Sequence, residues 1–195
     1  IFCKSLLICV FAFMVIGVCS GVGIIRGIIA SAPTIDDIVA TPTGFLSTVL
    51  DANGNQTATL VASGSNRRAV TIDEIPKNLQ HAFVAIEDER FYEHNGIDVT
   101  GIIRAGVKGV ASGFHFSEGA STITQQLLKN TVFTSWTSES SMADKFERKF
   151  QEQYLALQLE KVVDKDWILE NYLNAINLGQ NTLGVGVASE RYFGK

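Results

Sequence analysis

An uncharged apolar run near the start of the chain predicts a membrane-spanning helix. From Ser5 to Ile25, about 21 residues carry no charge and are mostly Leu, Ile, Val, Phe, Ala and Gly, which is long enough to cross a hydrocarbon core. A cleaved signal peptide is the alternative, because the basic Lys4 precedes the run. The length of the run, and a proline directly after the small residues at 30–32, favour an uncleaved anchor at residues 1–30.

A polar connector and a short β-hairpin are predicted after this run. Residues 31–44 are rich in Pro, Thr, Asp and Ala, which is typical of a segment leading from a membrane to a folded domain. Between Ser47 and Leu60, two β-prone runs flank Asn53-Gly54, a pair that supplies the positive φ angles of a tight turn. We therefore expect a hairpin at the start of a domain that spans residues 45–195.

The rest of the chain has helical periodicity. Apolar positions recur at the spacing of one helix face in a series of segments: Pro76 to Glu87, about Asp98 to Ala111, Ser121 to Val132, Ser141 to Val163, Lys165 to Asn177 and Gly184 to Phe193. Two polar stretches between these segments are predicted to be mobile loops, at Ser112–Gly119 and at the Ser/Thr-rich Thr134–Ser141. The pattern predicts a mainly α domain.

Composition narrows the chemistry that this domain can carry. The formal net charge of -4 gives no indication of nucleic-acid binding, so an anionic ligand would need a local cluster of basic residues. Cys3, Cys9 and Cys19 all lie in or beside the apolar run, which excludes a disulfide framework or a cysteine-based metal site in the domain. Lys4 and Arg26 flank the run evenly, so charge does not determine its orientation.

The first candidate for chemistry is the segment from Glu87 to Gly96, which places carboxylates, aromatic rings and His94 at the end of an apolar helix. Desolvation against the helix would raise a carboxylate pKa and make that carboxylate a better proton acceptor. Residue types alone favour the alternative, in which these charges are simply exposed at a helix end.

The second candidate is the segment from Gly119 to Asn130, with Ser121 as the expected N-cap of a helix. Helical spacing places one hydroxyl, two amides and one ammonium group on a shared face: Thr122, Gln126, Asn130 and Lys129. Such a face can bind a phosphate or a sugar. The alternative is the ordinary polar surface of an amphipathic helix.

Two later helices complete the set of candidates. Arg148 and Lys149 lie three or four residues from Glu152, so all three can share a helix face. A basic pair beside a carboxylate suits a diphosphate leaving group, whereas ordinary ion pairing on an exposed helix is the alternative. Further along, Ile168 to Asn174 carries an apolar stripe with Tyr172, for which packing is the expected role.

Taken in order, these motifs resemble the family 51 glycosyltransferases, found in class A penicillin-binding proteins and monofunctional peptidoglycan glycosyltransferases. The resemblance covers roughly Val70 to Lys195 and is carried by the following residues and segments: Glu87, Asp88, Phe91, His94 and Gly96; Gly119 with Ser121 to Gln126; Arg148, Lys149 and Glu152; Ile168 to Asn174; and Gly184 to Lys195. It implies a mainly α, lysozyme-like fold whose active-site cleft lies between a larger head and a smaller membrane-embedded part.

The resemblance also implies a reaction and its residues. Glu87 would be the general base for an acceptor sugar hydroxyl, and glycan would grow from lipid II and a lipid-linked strand with inversion at the anomeric carbon. Lys129, Arg148 and Lys149 would neutralise the diphosphate, and Glu152, the second catalytic carboxylate, would orient these cations, the acceptor diphosphate or a divalent ion. Substrate contacts are implied for the remaining motif residues: Asp88, Phe91, His94, Ser121, Thr122, Gln126 and Asn130.

Cofactor, location and partners follow from the same resemblance. No cofactor is certain and no metal ligands are assigned, although Mg²⁺ or Mn²⁺ is a candidate. The protein is expected in the bacterial cytoplasmic membrane as a single-pass protein, with its domain extracytoplasmic, and other cell-wall synthesis proteins are candidate partners. Further helices of the domain are expected beyond Lys195, and no transpeptidase Ser-x-x-Lys motif is present in this chain.

Two other functions compete with this interpretation. A lysozyme-like hydrolase could use Glu87 and Glu152 as paired carboxylates, but it would not need three cations beside an uncharged glycosidic bond. A non-catalytic membrane scaffold for cell-wall enzymes is the second alternative, and it would not need both carboxylates.

Overall fold

The computed structural model describes residues 2–35, 40–113 and 119–194 and is mainly helical. A two-stranded antiparallel hairpin and a 3-10 helix at Thr134–Ser138 interrupt the helices. In chain order, the elements are α1 (Phe2–Ala30), β1 (Ser47–Leu50), β2 (Gln56–Leu60), α2 (Lys77–Glu87), α3 (Val99–Ala111), α4 (Ile123–Thr131), α5 (Met142–Leu159), α6 (Lys165–Ala175) and α7 (Val185–Phe193). The predicted fold class, with its apolar N-terminal helix and short hairpin, is confirmed.

Helix α1 is long and apolar enough to cross a membrane over Leu7–Ala30, a stretch of 24 residues. None of that stretch is buried by the rest of the protein, so it is not a core helix. Its C-terminal end contacts α5, where Gln151 Nε2 donates to the carbonyl of Ile28 at 3.2 Å and to Ser31 Oγ at 3.0 Å. The apolar helix therefore joins the domain through polar contacts at its end.

The connector after α1 is partly packed onto the domain. Ala40 is buried in the core, and the carbonyls of Thr43 and Gly44 accept hydrogen bonds from the guanidinium of Arg67. Residues 36–39 of the predicted connector lie outside the described residues. The predicted domain boundaries at 30 and 44 stay predictions.

The hairpin forms where the turn residues indicate it. Ser47 pairs with Leu60 and Val49 with Ala58, and every residue of both strands is exposed. Asp51 closes the turn, because its carboxylate accepts from the backbone N–H groups at 53 and 55, at 2.8 and 2.9 Å.

The core lies between α4, α5 and α6. Fully enclosed side chains from the three helices meet there with a loop phenylalanine: Ile123, Leu127, Leu128, Leu155, Ile168, Leu169, Tyr172, Leu173 and Phe91. Burying one such side chain contributes about 1.5–3 kcal/mol, so this cluster fixes the relative positions of the three helices. The packing role predicted for the apolar stripe of α6 is confirmed.

Several local predictions need correction. The stretch predicted as a loop at Thr134–Ser141 contains the 3-10 helix, and α5 ends at Leu159 rather than at Val163 because a tight turn follows. The N-cap of α4 is Thr122 and not Ser121, since Thr122 Oγ1 accepts from the N–H of Gln125 at 3.2 Å. Residues 114–118, the middle of the other predicted loop, lie outside the described residues.

Candidate active site

Glu87 is the last residue of α2 and its carboxylate is open to solvent. The apolar face of α2 is turned to the core through Val84, which leaves Glu87 on the outer side. Gln126 of α4 donates from Nε2 to Glu87 Oε2 at 2.9 Å. The expectation that burial desolvates the carboxylate is therefore wrong for Glu87, whose position is set by a hydrogen bond instead.

The buried side chain of Tyr172 supports the hydrogen bond between Gln126 and Glu87. Its hydroxyl donates to Gln126 Oε1 at 3.4 Å, so the amide that holds Glu87 is itself held from α6. Burial raises the pKa of Tyr172, and the negative charge of Glu87 raises it further. The tyrosine therefore stays a neutral hydrogen-bond donor at physiological pH.

Asp88 is the desolvated carboxylate of this segment. Its side chain is 2% exposed and accepts from the backbone N–H of Ile123 at 3.0 Å and from His94 Nε2 at 2.9 and 3.0 Å. Ile123 begins α4, so Asp88 places a negative charge at a helix N-terminus, where the helix dipole stabilises it. Asp88 and His94 thus tie the loop after Glu87 to α4.

Phe91 and Thr122 are also enclosed by protein. Phe91 has no exposed surface, and Thr122, 1% exposed, donates from its hydroxyl to the carbonyl of Gly96 at 2.7 Å. Substrate contact was expected at both residues and at Asp88, and it stays a prediction for all three, since Asp88 and Thr122 also line a polar cavity beside Glu87. The hydrogen bonds of Asp88 and Thr122 show in addition that both side chains hold the loop after Glu87 against α4.

Gly96 is where the loop comes closest to α5. Its φ of +91° is in the left-handed region, and a Cβ built there would lie 2.5 Å from the carbonyl oxygen of Ala156. Only glycine allows both this conformation and this approach. The loop from Glu87 to Gly96 is therefore fixed at both of its ends.

Three basic residues, Lys129, Arg148 and Lys149, form a cationic cluster with the carboxylates of Glu139 and Glu152. Arg148 donates to Glu152 and, at 2.7 Å, to Glu139. Lys149 Nζ donates to Glu152 Oε2 at 3.1 Å and to Ser121 Oγ at 2.6 Å. Glu152 is 1% exposed, so its charge is buried against cations and its predicted orienting role fits these contacts.

Lys129 completes the cationic cluster from α4. Its ammonium lies 4.4 Å from the ring centroid of Trp136, and no described carboxylate lies within ion-pair distance of it. Burial lowers the pKa of Lys129, and the charges of Glu152, Lys149, Arg148 and Glu87 also act on it. These charges therefore share one neighbourhood. Asn130 is half-buried at the next position of α4.

Two cavities adjoin these residues. A polar cavity of about 120 Å³ lies beside Glu87 and is also lined by Arg104 and Ser121. An apolar groove of about 380 Å³ runs along α5 between Phe146 and Phe150, next to Lys149. The site therefore has a polar cavity beside Glu87 and an apolar groove beside Arg148 and Lys149.

A divalent metal ion at this cluster stays a prediction. Both oxygens of Glu152 accept hydrogen bonds from cations, one from Arg148 and the other from Lys149. Among the described residues, no group of three or more His, Cys, Asp or Glu side chains is arranged to hold a metal. The residues present are suited to an anion.

Sequence patterns missed two contributors, Trp136 and Glu139. Both lie in the tract predicted as a mobile loop, yet one packs on Lys129 and the other pairs with Arg148. A tryptophan and a glutamate within a Ser/Thr-rich tract are the signal that could have indicated an ordered segment. Residue types alone could not show which cations they approach.

Comparison with known proteins decides the family. A family model described as transglycosylase matches residues 53–195, most of the described domain. The chain belongs to the transglycosylase family. The resemblance drawn from the motifs, and the expectation of a peptidoglycan glycosyltransferase domain, are thereby confirmed. The carboxylate, the cationic cluster and the supporting loop all fall within the matched transglycosylase segment.

Curated relatives of this transglycosylase chain are longer proteins. It is 45% identical over 174 residues to penicillin-binding protein 1A of Clostridium perfringens (strain 13 / Type A), covering 88% of this chain and 24% of the relative. It is 40% identical over 192 residues to penicillin-binding protein 1A/1B of Bacillus subtilis (strain 168), covering 98% of this chain and 20% of the relative. The chain spans about a quarter or less of these relatives.

Proposed function

We propose that this domain polymerises lipid II into peptidoglycan glycan strands outside the cytoplasmic membrane. The donor is the growing strand on its polyprenyl diphosphate, and the acceptor is lipid II. The observation that carries the proposal is one exposed carboxylate, Glu87, held by Gln126 in the electrostatic neighbourhood of Lys129, Arg148 and Lys149. A base beside a cationic cluster is suited to a reaction whose leaving group is a diphosphate.

Glu87 acts as the general base in this proposal. Gln126 donates a hydrogen bond to Oε2 of Glu87, and the other carboxylate oxygen, Oε1, accepts the proton of the acceptor hydroxyl. The hydroxyl oxygen then forms a bond to the anomeric carbon from the side opposite the diphosphate, whose bond to that carbon breaks. Attack from the opposite side inverts the anomeric carbon.

The cationic cluster stabilises the diphosphate as its negative charge develops. Lys129 has no described carboxylate to release before it meets an anion, and Lys149 is held by Glu152 and Ser121 so that its direction is set in advance. Charged donors that are held in place cost little reorganisation when charge appears. Glu152 therefore acts in this proposal by orienting Arg148 and Lys149.

The apolar groove and α1 support a lipid-linked substrate. Phe146 and Phe150 provide an apolar surface directly beside Lys149, which matches an isoprenoid chain attached to a diphosphate. Helix α1 contacts the same helix, α5, through Gln151. Anchoring both enzyme and substrate in one membrane raises their effective concentration. An inside-to-outside orientation of α1, and contacts with other cell-wall synthesis proteins, remain predictions.

Product analysis with labelled lipid II tests the proposal. The protein in detergent micelles is incubated with lipid II or with preformed glycan, and products are separated by size. Longer glycan from lipid II supports polymerisation. Shorter fragments from glycan would instead support a lysozyme-like hydrolase, and binding of lipid II with no product would support a scaffold.

A further inference from the structure

An ion pair between Glu160 and Lys165 takes no part in the proposed chemistry. Glu160 follows α5 and Lys165 begins α6, and their side chains meet at 2.6 Å between Oε2 and Nζ. The side chains of Glu160 and Lys165 are 4% and 21% exposed. Removing two charges from water costs about as much as their attraction returns, so net stability alone does not explain the pair.

The Glu160–Lys165 pair contacts both the start of α4 and the loop that follows Glu87. The second carboxylate oxygen of Glu160 accepts a hydrogen bond from Thr124 Oγ1, in the first turn of α4. Lys165 Nζ lies 4.5 Å from the ring centroid of Phe91, in the loop that follows Glu87. A cation over an aromatic face is attracted by the ring. The pair therefore joins the start of α4 to that loop.

These two attachments lie next to the contacts that aim Glu87. Ile123, adjacent to Thr124, donates to Asp88, and one turn later Gln126 donates to Glu87. A shift of the loop against α4 would lengthen both hydrogen bonds. We propose that Glu160 and Lys165 are positioning residues, which fix the loop against α4 and so set the direction of the Glu87 carboxylate. This inference rests on the proposed function for its catalytic consequence.

Substitutions at Lys165 and Glu160 can distinguish a positioning role of the pair from simple neutralisation of a buried charge. Lys165→Met keeps an unbranched stem near Phe91 but leaves the Glu160 carboxylate buried without its cation. Adding Glu160→Gln removes that unpaired charge, and the amide oxygen can still accept from Thr124. The double variant therefore restores charge balance without restoring the cation over the ring, whereas Lys165→Arg keeps both functions.

The test compares three variants with the unmodified protein in detergent: Lys165→Met, the double variant Lys165→Met/Glu160→Gln, and Lys165→Arg. Lys161→Met is the matched control, because Lys161 is exposed and its ammonium donates to the exposed side chain of Gln158. Three quantities are measured: the melting temperature, hydrogen exchange of the amides at 91, 93 and 94, and kcat and KM for lipid II polymerisation.

A partly exposed cation–π contact is weaker than a fully desolvated one, so Lys165→Met should lower kcat only about tenfold, with KM within about twofold. The double variant should recover the melting temperature but keep both the low kcat and the faster amide exchange, while Lys165→Arg should recover all three. Recovery of kcat and of amide protection in the double variant would overturn the inference. Because exchange does not depend on turnover, absence of polymerisation by the unmodified protein would refute the proposed function alone.

Discussion

The loop after Glu87 can act by contacting substrate or by positioning Glu87. Replacing Asp88 by alanine distinguishes between these two roles. The sequence predicts substrate contact, whereas the structure buries the carboxylate between His94 and the N-terminus of α4. If the role is positioning, Asp88→Ala should lower stability and activity together. If the role is substrate contact, activity should fall while stability is unchanged.

The size of the effect follows from the contacts that are lost. Removing a helix N-terminal acceptor, here the partner of the Ile123 N–H, costs about 1 kcal/mol. Leaving the buried His94 N–H without its acceptor costs about 1–3 kcal/mol more. A total of about 3 kcal/mol corresponds to a fall in melting temperature of about 6–12 °C for a domain of this size.

Thermal unfolding in detergent, followed by circular dichroism, measures this effect. Asp88→Asn should lose about half as much stability, because its amide oxygen can still accept from one of the two donors. Glu89→Ala is the matched control, since the neighbouring Glu89 side chain is 71% exposed, and it should leave the melting temperature unchanged. An Asp88→Ala protein that melts normally but no longer polymerises lipid II would refute the positioning role.

Two further predictions address the loop and the cationic cluster. Gly96→Ala should destabilise the domain by about 3 kcal/mol or more, because of its φ of +91° and the clash with the backbone of Ala156; Gly106→Ala, with open space around it, is the thermal-unfolding control and should not destabilise. Polymerisation should decline with rising pH before the ordinary lysine pKa of 10.5, because burial lowers the pKa of Lys129 and the neutral amine loses its hold on the diphosphate. In Lys129→Arg the alkaline decline of kcat/KM should move to higher pH; an unchanged profile would exclude Lys129 as its cause.

Periodicity predicted α4, α5 and α6 well because their apolar side chains pack into the core. The stripe of Leu169, Tyr172 and Leu173 packs as expected, and the hairpin forms at Asn53-Gly54, where local turn chemistry is sufficient. Helix ends were less accurate, as at the end of α5, because a tight turn of backbone hydrogen bonds replaces the last predicted helical turn there.

The sequence identified the residues of the candidate site but not their burial or their hydrogen-bond partners. Helical spacing placed Thr122 on the same face as Gln126, yet Thr122 precedes the helix and its hydroxyl is taken by Gly96. Spacing likewise indicated that Arg148 and Glu152 pair, but not that the pair is buried or that Glu139 also binds Arg148. Which carboxylate is buried and which is exposed depends on packing between distant segments.

Polymerisation of labelled lipid II by the Glu87→Gln variant tests the central claim most directly. Glu93→Gln serves as the control, because Glu93 is an exposed carboxylate of the same segment and does not line the polar cavity beside Glu87. The account predicts that Glu87→Gln binds lipid II and melts like the unmodified protein but makes glycan at least about a hundredfold more slowly, as expected for loss of a general base. A rate for Glu87→Gln equal to those of Glu93→Gln and of the unmodified protein would contradict the assignment of Glu87 as the base.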